Sequence, residues 1–211
     1  TLEKKKKSEG DEVMYYNKGW IEVITGPMFS GKTEELIRRL KRVQYARQSS
    51  IVFKPAVDTR YSLDKIVSHS GLEIPSVVPK VIEEIVVMYE SKKYDVVAFD
   101  EIQLFPRNNF DNTIDMVDLI NRMADDGTRV IVAGLDMDFR GKPFGIMKDL
   151  LCVAEKVDKL TSICNKCGAL ATRTQRIIDG KPAHYNDPTV LVGATDYYIP
   201  VCRDCHEVRR N

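Results

Sequence analysis

Gly26-Pro27-Met28-Phe29-Ser30-Gly31-Lys32-Thr33 joins an apolar run, Trp20 to Thr25, to an amphipathic one, Lys32 to Ala46. The run has the pattern G-x-x-x-x-G-K-[ST] and stands where that pattern works, after a strand and at the head of a helix. Its glycines let backbone N–H groups curl around phosphates, and the helix N-terminus favours their charge. Lys32 is placed to reach β and γ oxygens and Thr33 to offer a hydroxyl to Mg²⁺, so the chemistry expected is that of a nucleoside triphosphate. Such a loop also demands a β-strand feeding directly into a helix, the unit from which parallel sheets are built.

The rest of the chain repeats that alternation. Short Val- and Ile-rich runs at Trp20 to Thr25, Ser50 to Lys54, Asp95 to Asp100, Arg129 to Ala133 and Val157 to Ile163 read as buried parallel strands. Val77, limited by Pro75 and Pro79, is a candidate for another. Between them Lys32 to Ala46 places Leu36, Ile37, Leu40 and Val43 on one face, and Val81 to Glu90 and Asp115 to Ala124 read similarly. The fold class expected is α/β. After Ile163 the helical periodicity stops, Cys, Gly, Pro and Asp become frequent, and a polar strand is expected at Thr172 to Ile178. The organisation predicted is a tail over residues 1–18, an ATP-binding α/β domain over 19–161 and a smaller unit over 162–211. Lys4 to Lys7 lie among Glu3, Glu9, Asp11 and Glu12, so the tail reads as solvated and flexible. No apolar run is long enough for a membrane span or a secretory signal, which makes a cytoplasmic setting the expectation. A net charge of +1 gives no global attraction to nucleic acid or membrane, so partners must be read from local sites.

Val96 to Phe99 leads into Asp100 and Glu101 at the carboxyl end of a buried strand, where open α/β sheets bind ligands. Alternation along a strand sends neighbouring side chains to opposite sides, so Asp100 is expected to face Mg²⁺ and Glu101 the second substrate. A hydroxyl attacking a γ-phosphoryl group needs a proton acceptor, and Glu101 is the candidate. The competing reading has Glu101 position a hydrolytic water or cap the next loop.

Of the five cysteines, four form two Cys-x-x-Cys pairs, Cys164 with Cys167 and Cys202 with Cys205. Four thiolates suit tetrahedral Zn²⁺ with no open position, a structural site. The residues from 168 to 201 between the pairs form a loop pinned at its base. A redox role for either pair lacks a thioredoxin-like context. Nucleic-acid binding by the zinc unit lacks concentrated basic and aromatic surface, with Arg173, Arg176, Arg209 and Arg210 its only support. Cys152 reads as a buried core thiol. His206, beside a ligand cysteine, is a possible substitute ligand, and His69 and His184 have no partner spacing; all three are read as non-catalytic.

Taken in order, the phosphate loop, Asp58-Thr59-Arg60-Tyr61, Asp100-Glu101-Ile102-Gln103-Leu104-Phe105 and the two cysteine pairs resemble the zinc-containing, cytosolic-type thymidine kinases. Gly134-Leu135-Asp136, Phe139, Lys142-Pro143-Phe144-Gly145 and Val190-Leu191-Val192-Gly193 with Tyr198 extend the resemblance from about Gly19 to Cys205. It implies a RecA-like P-loop domain with a mainly parallel sheet, a small zinc-ribbon domain bearing a lasso loop, and a homotetramer. It implies transfer of phosphate from ATP to the 5′-hydroxyl of thymidine or deoxyuridine, with feedback inhibition by dTTP. Carried over by residue, Glu101 is the base, and Gly26, Pro27, Met28, Phe29, Ser30, Gly31, Lys32, Thr33, Asp58, Arg60, Asp100 and Gln103 bind ATP, with Thr33 and Asp100 at Mg²⁺. Met28, Leu135, Phe139, Thr174, Thr189, Val190, Leu191, Val192, Gly193 and Tyr198 line the nucleoside pocket, and Cys164, Cys167, Cys202 and Cys205 hold Zn²⁺. One departure is a longer segment, Arg107 to Thr113, after the paired acids.

The alternative from another class is a P-loop NTPase whose zinc ribbon binds nucleic acid. A nucleotide switch is a third reading, but no Asn-Lys-x-Asp guanine-reading motif is present. The sequence thus favours the kinase, with neither nucleic acid nor membrane as a partner.

Overall fold

The computed structural model describes residues 19–56, 65–67, 71–189 and 197–210. In chain order the α/β part comprises β1 (Trp20–Thr25), α1 (Lys32–Tyr45), β2 (Ser50–Phe53), β3 (Lys65–Val67), β4 (Glu73–Pro75), α2 (Ile82–Ser91), β5 (Val96–Phe99), a 3₁₀ turn at Ile102–Leu104, α3 (Met116–Asp125), β6 (Arg129–Gly134), α4 (Met147–Val153) and β7 (Lys156–Lys159). Then follow β8 (Ser162–Ile163), β9 (Leu170–Ala171), β10 (Arg173–Ile178), β11 (Lys181–Pro182) and β12 (Tyr197–Val201).

Five strands form one parallel sheet in the order β2-β5-β6-β1-β7. Its central strands are apolar at nearly every position because both faces are covered. Val97, Phe99, Val130 and Val132 pack towards α2, α3 and α4, with Phe53 stacked on Phe99 at 5.3 Å. The alternate residues Val96, Ala98, Ile131 and Ala133 pack with Leu36, Ile37, Leu40 and Val43 of α1. That period of two against a helical stripe makes the core of the sheet. The arrangement is α/β with a mainly parallel sheet, as expected from the sequence.

Differences lie where local pattern was weak. The strand expected over Val157 to Ile163 is two: β7 pairs with β1, and the chain turns at Leu160 and Thr161 before β8 pairs antiparallel with β9. Leu160 N–H donates to Thr25 O at 2.7 Å, so the sheet's pull ends there and the next residues serve the cysteine hairpin. Val77 makes a single parallel bridge to Phe53 rather than a strand. Helix α4 has no counterpart in the sequence reading: it is only seven residues long, and its Met147 and Leu150 are buried. Cys152 on that helix is exposed, not a core thiol, because it falls on the solvent side of so short a stripe.

A buried ion network fastens α1 to the sheet. Arg39 donates to Glu22 on β1 at 2.6 Å, to Glu35 one turn earlier at 2.8 Å and to Asp158 on β7 at 2.5 Å. Arg129 on β6 closes the set on Glu22 at 2.7 Å. Removing Glu22, which with Arg39 forms the buried pair of the set, leaves a buried charge without its partner, at a cost of about 3–5 kcal/mol. Glu35 also accepts from Arg38, and that bond, opposed by burial and supported by Arg39, holds its carboxyl down to about 2. Its folded value is below its ordinary value of 4.5, so its contribution is full above that pH and is lost as pH falls through about 2. Because the pair reaches solvent, that contribution is no more than about 1 kcal/mol. Glu35→Gln is therefore expected to flatten the stability profile over that window in thermal melts. A variant with the wild-type acid slope would show that the network does not act through Glu35.

The longer segment after the paired acids is closed on itself. Asn109 Nδ2 donates to Glu83 at 2.8 Å and to Thr113 Oγ1 at 3.0 Å, while its Oδ1 accepts from Ile114 N–H at 2.9 Å. Arg107 reaches Asp115 and Asp149, and Phe110 at the tip is exposed.

Beyond β7 the chain forms a three-stranded antiparallel sheet, β11-β10-β12, and the β8-β9 hairpin. Gln175, fully buried, ties this part together: its amide donates to Arg176 O and Glu207 O and accepts from Glu207 N–H. Among the described residues, no helix is long and apolar enough to cross a membrane.

Candidate active site

The phosphate loop runs from the end of β1 into α1. Gly26 has φ 144°, and a Cβ there would stand 2.4 Å from Leu160 O, so both its conformation and its contact require glycine. Gly31, in the left-handed region, turns the chain into the helix. Lys32 Nζ donates to Pro27 O at 2.8 Å across the loop and is buried. Among the described residues Ser30 Oγ is buried without a hydrogen-bond partner, which fits a hydroxyl in a phosphate-binding loop.

Asp100 follows β5 and is buried, its backbone N–H bonded to Phe53 O at 2.9 Å. Its Oδ2 accepts from Thr33 Oγ1 at 3.5 Å, the two groups expected at Mg²⁺. A hydroxyl and a carboxylate converging beside a phosphate loop are the hard oxygen donors this ion takes.

Asp100 and Glu101 take different partners, and strand alternation does not set this. The strand ends at Phe99, and Glu101 takes a left-handed backbone, φ 49° and ψ 41°, before the 3₁₀ turn. A non-glycine residue in that region costs about 1–3 kcal/mol and is held only where its surroundings over-determine it. Gln103 Nε2 donates to Glu101 Oε2 at 2.5 Å, and Gln103 Oε1 accepts from Leu135 N–H at 3.0 Å.

The expected nucleoside residues come from distant parts of the chain. Met28 N–H in the phosphate loop donates to Thr174 Oγ1 on β10 at 3.0 Å. In the β10–β12 register Thr174 opposes Pro200 and Arg176 opposes Tyr198, so Thr174, Arg176 and Tyr198 share one face. Phe139 lies against that face with the Arg176 guanidinium 5.6 Å from its ring. Arg176 is fully buried and donates to Pro188 O, next to Thr189, so it belongs to no nucleic-acid surface. Nothing in the sequence pattern marked Arg176 as the residue joining Phe139 to this segment. Asp58, Arg60 and Val190 to Gly193 lie outside the described residues, as does His69.

Cys164, Cys167, Cys202 and Cys205 converge with their sulfurs all within 4.8 Å of one another, Cys167 and Cys202 at 3.6 Å. Zn–S bonds of about 2.3 Å at tetrahedral angles put sulfurs about 3.8 Å apart, so the cluster fits Zn²⁺. Burial opposes ionisation of the Cys164 thiol, but N–H groups of Cys202, Cys167 and Lys166 outweigh it and bring it to about 6. His206 is outside the four-cysteine group, and its Nε2 is engaged with Phe139 O at 2.8 Å, which links the second cysteine pair to the β6–α4 connection. His184 Nδ1 accepts from Asn186 N–H.

A phosphate loop, an acid beside its threonine and a second acid in a forced backbone thus stand on the α/β sheet, and a four-cysteine cluster follows it in the chain. A family model for thymidine kinase matches residues 19–206, most of the chain. The four-cysteine cluster fits the zinc-containing type, and the chain belongs to the thymidine kinase family.

Proposed function

We propose that this enzyme transfers the γ-phosphoryl group of ATP to the 5′-hydroxyl of thymidine and deoxyuridine, with Glu101 as general base. The observation that carries the reading is the pairing of Thr33 with Asp100 beside the loop, while Glu101, in its left-handed backbone, accepts from Gln103. Asp100 and Thr33 would hold Mg²⁺, which supplies charge neutralisation at the phosphates when bound. Lys32 exchanges its bond to Pro27 O for phosphate oxygens. Glu101 takes the proton from the 5′-hydroxyl as its oxygen forms a bond to the γ-phosphorus and the bond to the β-phosphate oxygen breaks, leaving ADP. Asp58 and Arg60 are read as further ATP-site residues.

Thr189 to Gly193, with Met28, Leu135, Phe139, Thr174 and Tyr198, form the nucleoside pocket in this reading. Thymine presents an N3–H donor between two carbonyl acceptors, whereas cytosine presents an acceptor and an amino donor, so backbone pairing to thymine leaves cytosine mispaired. Structural zinc at the four cysteines pins the loop that carries these contacts. A homotetramer, inhibition by dTTP and a cytoplasmic setting complete the proposal; light scattering and inhibition assays test the first two.

The decisive experiment is a panel of natural deoxynucleosides with Mg-ATP. Thymidine and deoxyuridine are expected to give monophosphates and deoxycytidine little or none. No product from any nucleoside, with ATPase activity stimulated by nucleic acid, would replace the kinase by the NTPase reading.

A further inference from the structure

Gln103 is nearly fully buried, in the 3₁₀ turn directly after the paired acids. An amide side chain has two different ends, and here their assignment is forced. Leu135 N–H at the end of β6 donates to one end at 3.0 Å, so that end must be the carbonyl. The NH₂ end then faces Glu101 Oε2 at 2.5 Å and can only donate to it. Two glycines make room for this arrangement. A Cβ at Gly134 would stand 2.3 Å from Gln103 Oε1, and one at Gly145 would stand 2.4 Å from Gln103 O. The side chain is thus clamped between β6 and the carboxylate, with its backbone pressed against Gly145, two residues before α4.

We infer that Gln103 is a positioning residue that fixes the Glu101 carboxylate towards the nucleoside, with its amide oriented by Leu135 N–H, rather than a residue that binds ATP. The inference rests on the reading of Glu101 as the base. The amide bond to Oε2 sets the plane and direction of the carboxylate that is to accept the proton of the attacking hydroxyl. Because Leu135 is also read as part of the nucleoside pocket, the same amide sets the base and the pocket wall relative to one another. A carboxylate on a strained turn, free to rotate, would lose this alignment, and small misplacement of a catalytic group costs roughly 100-fold.

The test is a double-mutant cycle with Glu101→Gln, Gln103→Leu and the double variant, assayed with thymidine and Mg-ATP. Gln103→Leu is expected to lower kcat roughly 10- to 100-fold with the KM for ATP within about twofold of wild type. In the Glu101→Gln background it is expected to change turnover less than about twofold, because a residue that acts through Glu101 has nothing left to act on. A raised KM for ATP with unchanged kcat, or a full loss repeated in the double variant, overturns the inference. Near-normal turnover of Glu101→Gln overturns the base assignment itself, so the two failures are distinguishable. Should Gln103→Leu not fold, Gln103→Glu keeps the acceptor for Leu135 N–H and carries the test. Its turnover should fall as pH rises through a range where wild type is flat, since loss of the proton shared by two facing carboxylates sets them against each other. A wild-type pH profile for Gln103→Glu would equally overturn the inference.

Discussion

Glu101→Gln is expected to lower kcat at least about 100-fold while ATP binding stays nearly intact, because the amide keeps the shape of the side chain but cannot take a proton. The size follows from general-base catalysis, which contributes about 10²- to 10⁴-fold. Its selectivity follows from the geometry: Thr33 and Asp100 meet at the phosphate loop, while Glu101 is on a separate turn bonded to Gln103. Single-turnover assays with thymidine, beside equilibrium binding of an ATP analogue, measure the two effects separately. Turnover within a few-fold of wild type would remove Glu101 from the chemistry, and lost ATP binding would place it at the phosphates instead.

The second large effect is expected at the metal cluster. Cys202→Ser should bring zinc below one per chain and loosen residues 162–205 while the parallel sheet stays folded. The apolar cluster around Cys202 is small, comprising Cys164, Ala171 and Val201 with Ile199 and Cys205 packed on it. Structural zinc contributes about 10–16 kcal/mol of apparent binding free energy in zinc-finger peptides, far more than so few side chains supply. The sheet, by contrast, has two extensive cores of its own. Hydrogen exchange should therefore rise across β8 to β12 and little in β1, β5 and β6, and the KM for thymidine should rise because Thr174 and Tyr198 lie on those strands. Substoichiometric zinc in the wild-type protein, or unchanged exchange in the variant, would refute the structural role.

Contacts among the described residues join the two sites. Met28 N–H to Thr174 Oγ1, His206 to Phe139 O and Arg176 over Phe139 join the C-terminal sheet to the phosphate loop and the β6–α4 connection. Loss of zinc is therefore expected to act on Met28 and Phe139 through these contacts rather than through the core of the parallel sheet.

Sequence by itself determined the features whose signal is local. The phosphate loop declares itself within eight residues, β1 and α1 through their periodicities, and the four metal-ligand candidates through two short spacings. These readings hold because strand and helix periods and loop conformations are set by neighbours a few residues apart. Helix α4 and the division of β7 from β8 were not legible, since a seven-residue helix and an exposed edge strand carry little pattern. Tertiary structure alone decided which partner the Glu101 carboxylate takes, because that bond depends on Gln103 reaching Leu135 and on the space left by Gly134 and Gly145. It alone decided that Cys152 faces solvent, that His206 serves Phe139 and that Arg176 is buried. Each depends on a partner from a distant stretch of chain, and no pattern within a single stretch encodes which partner the fold will bring.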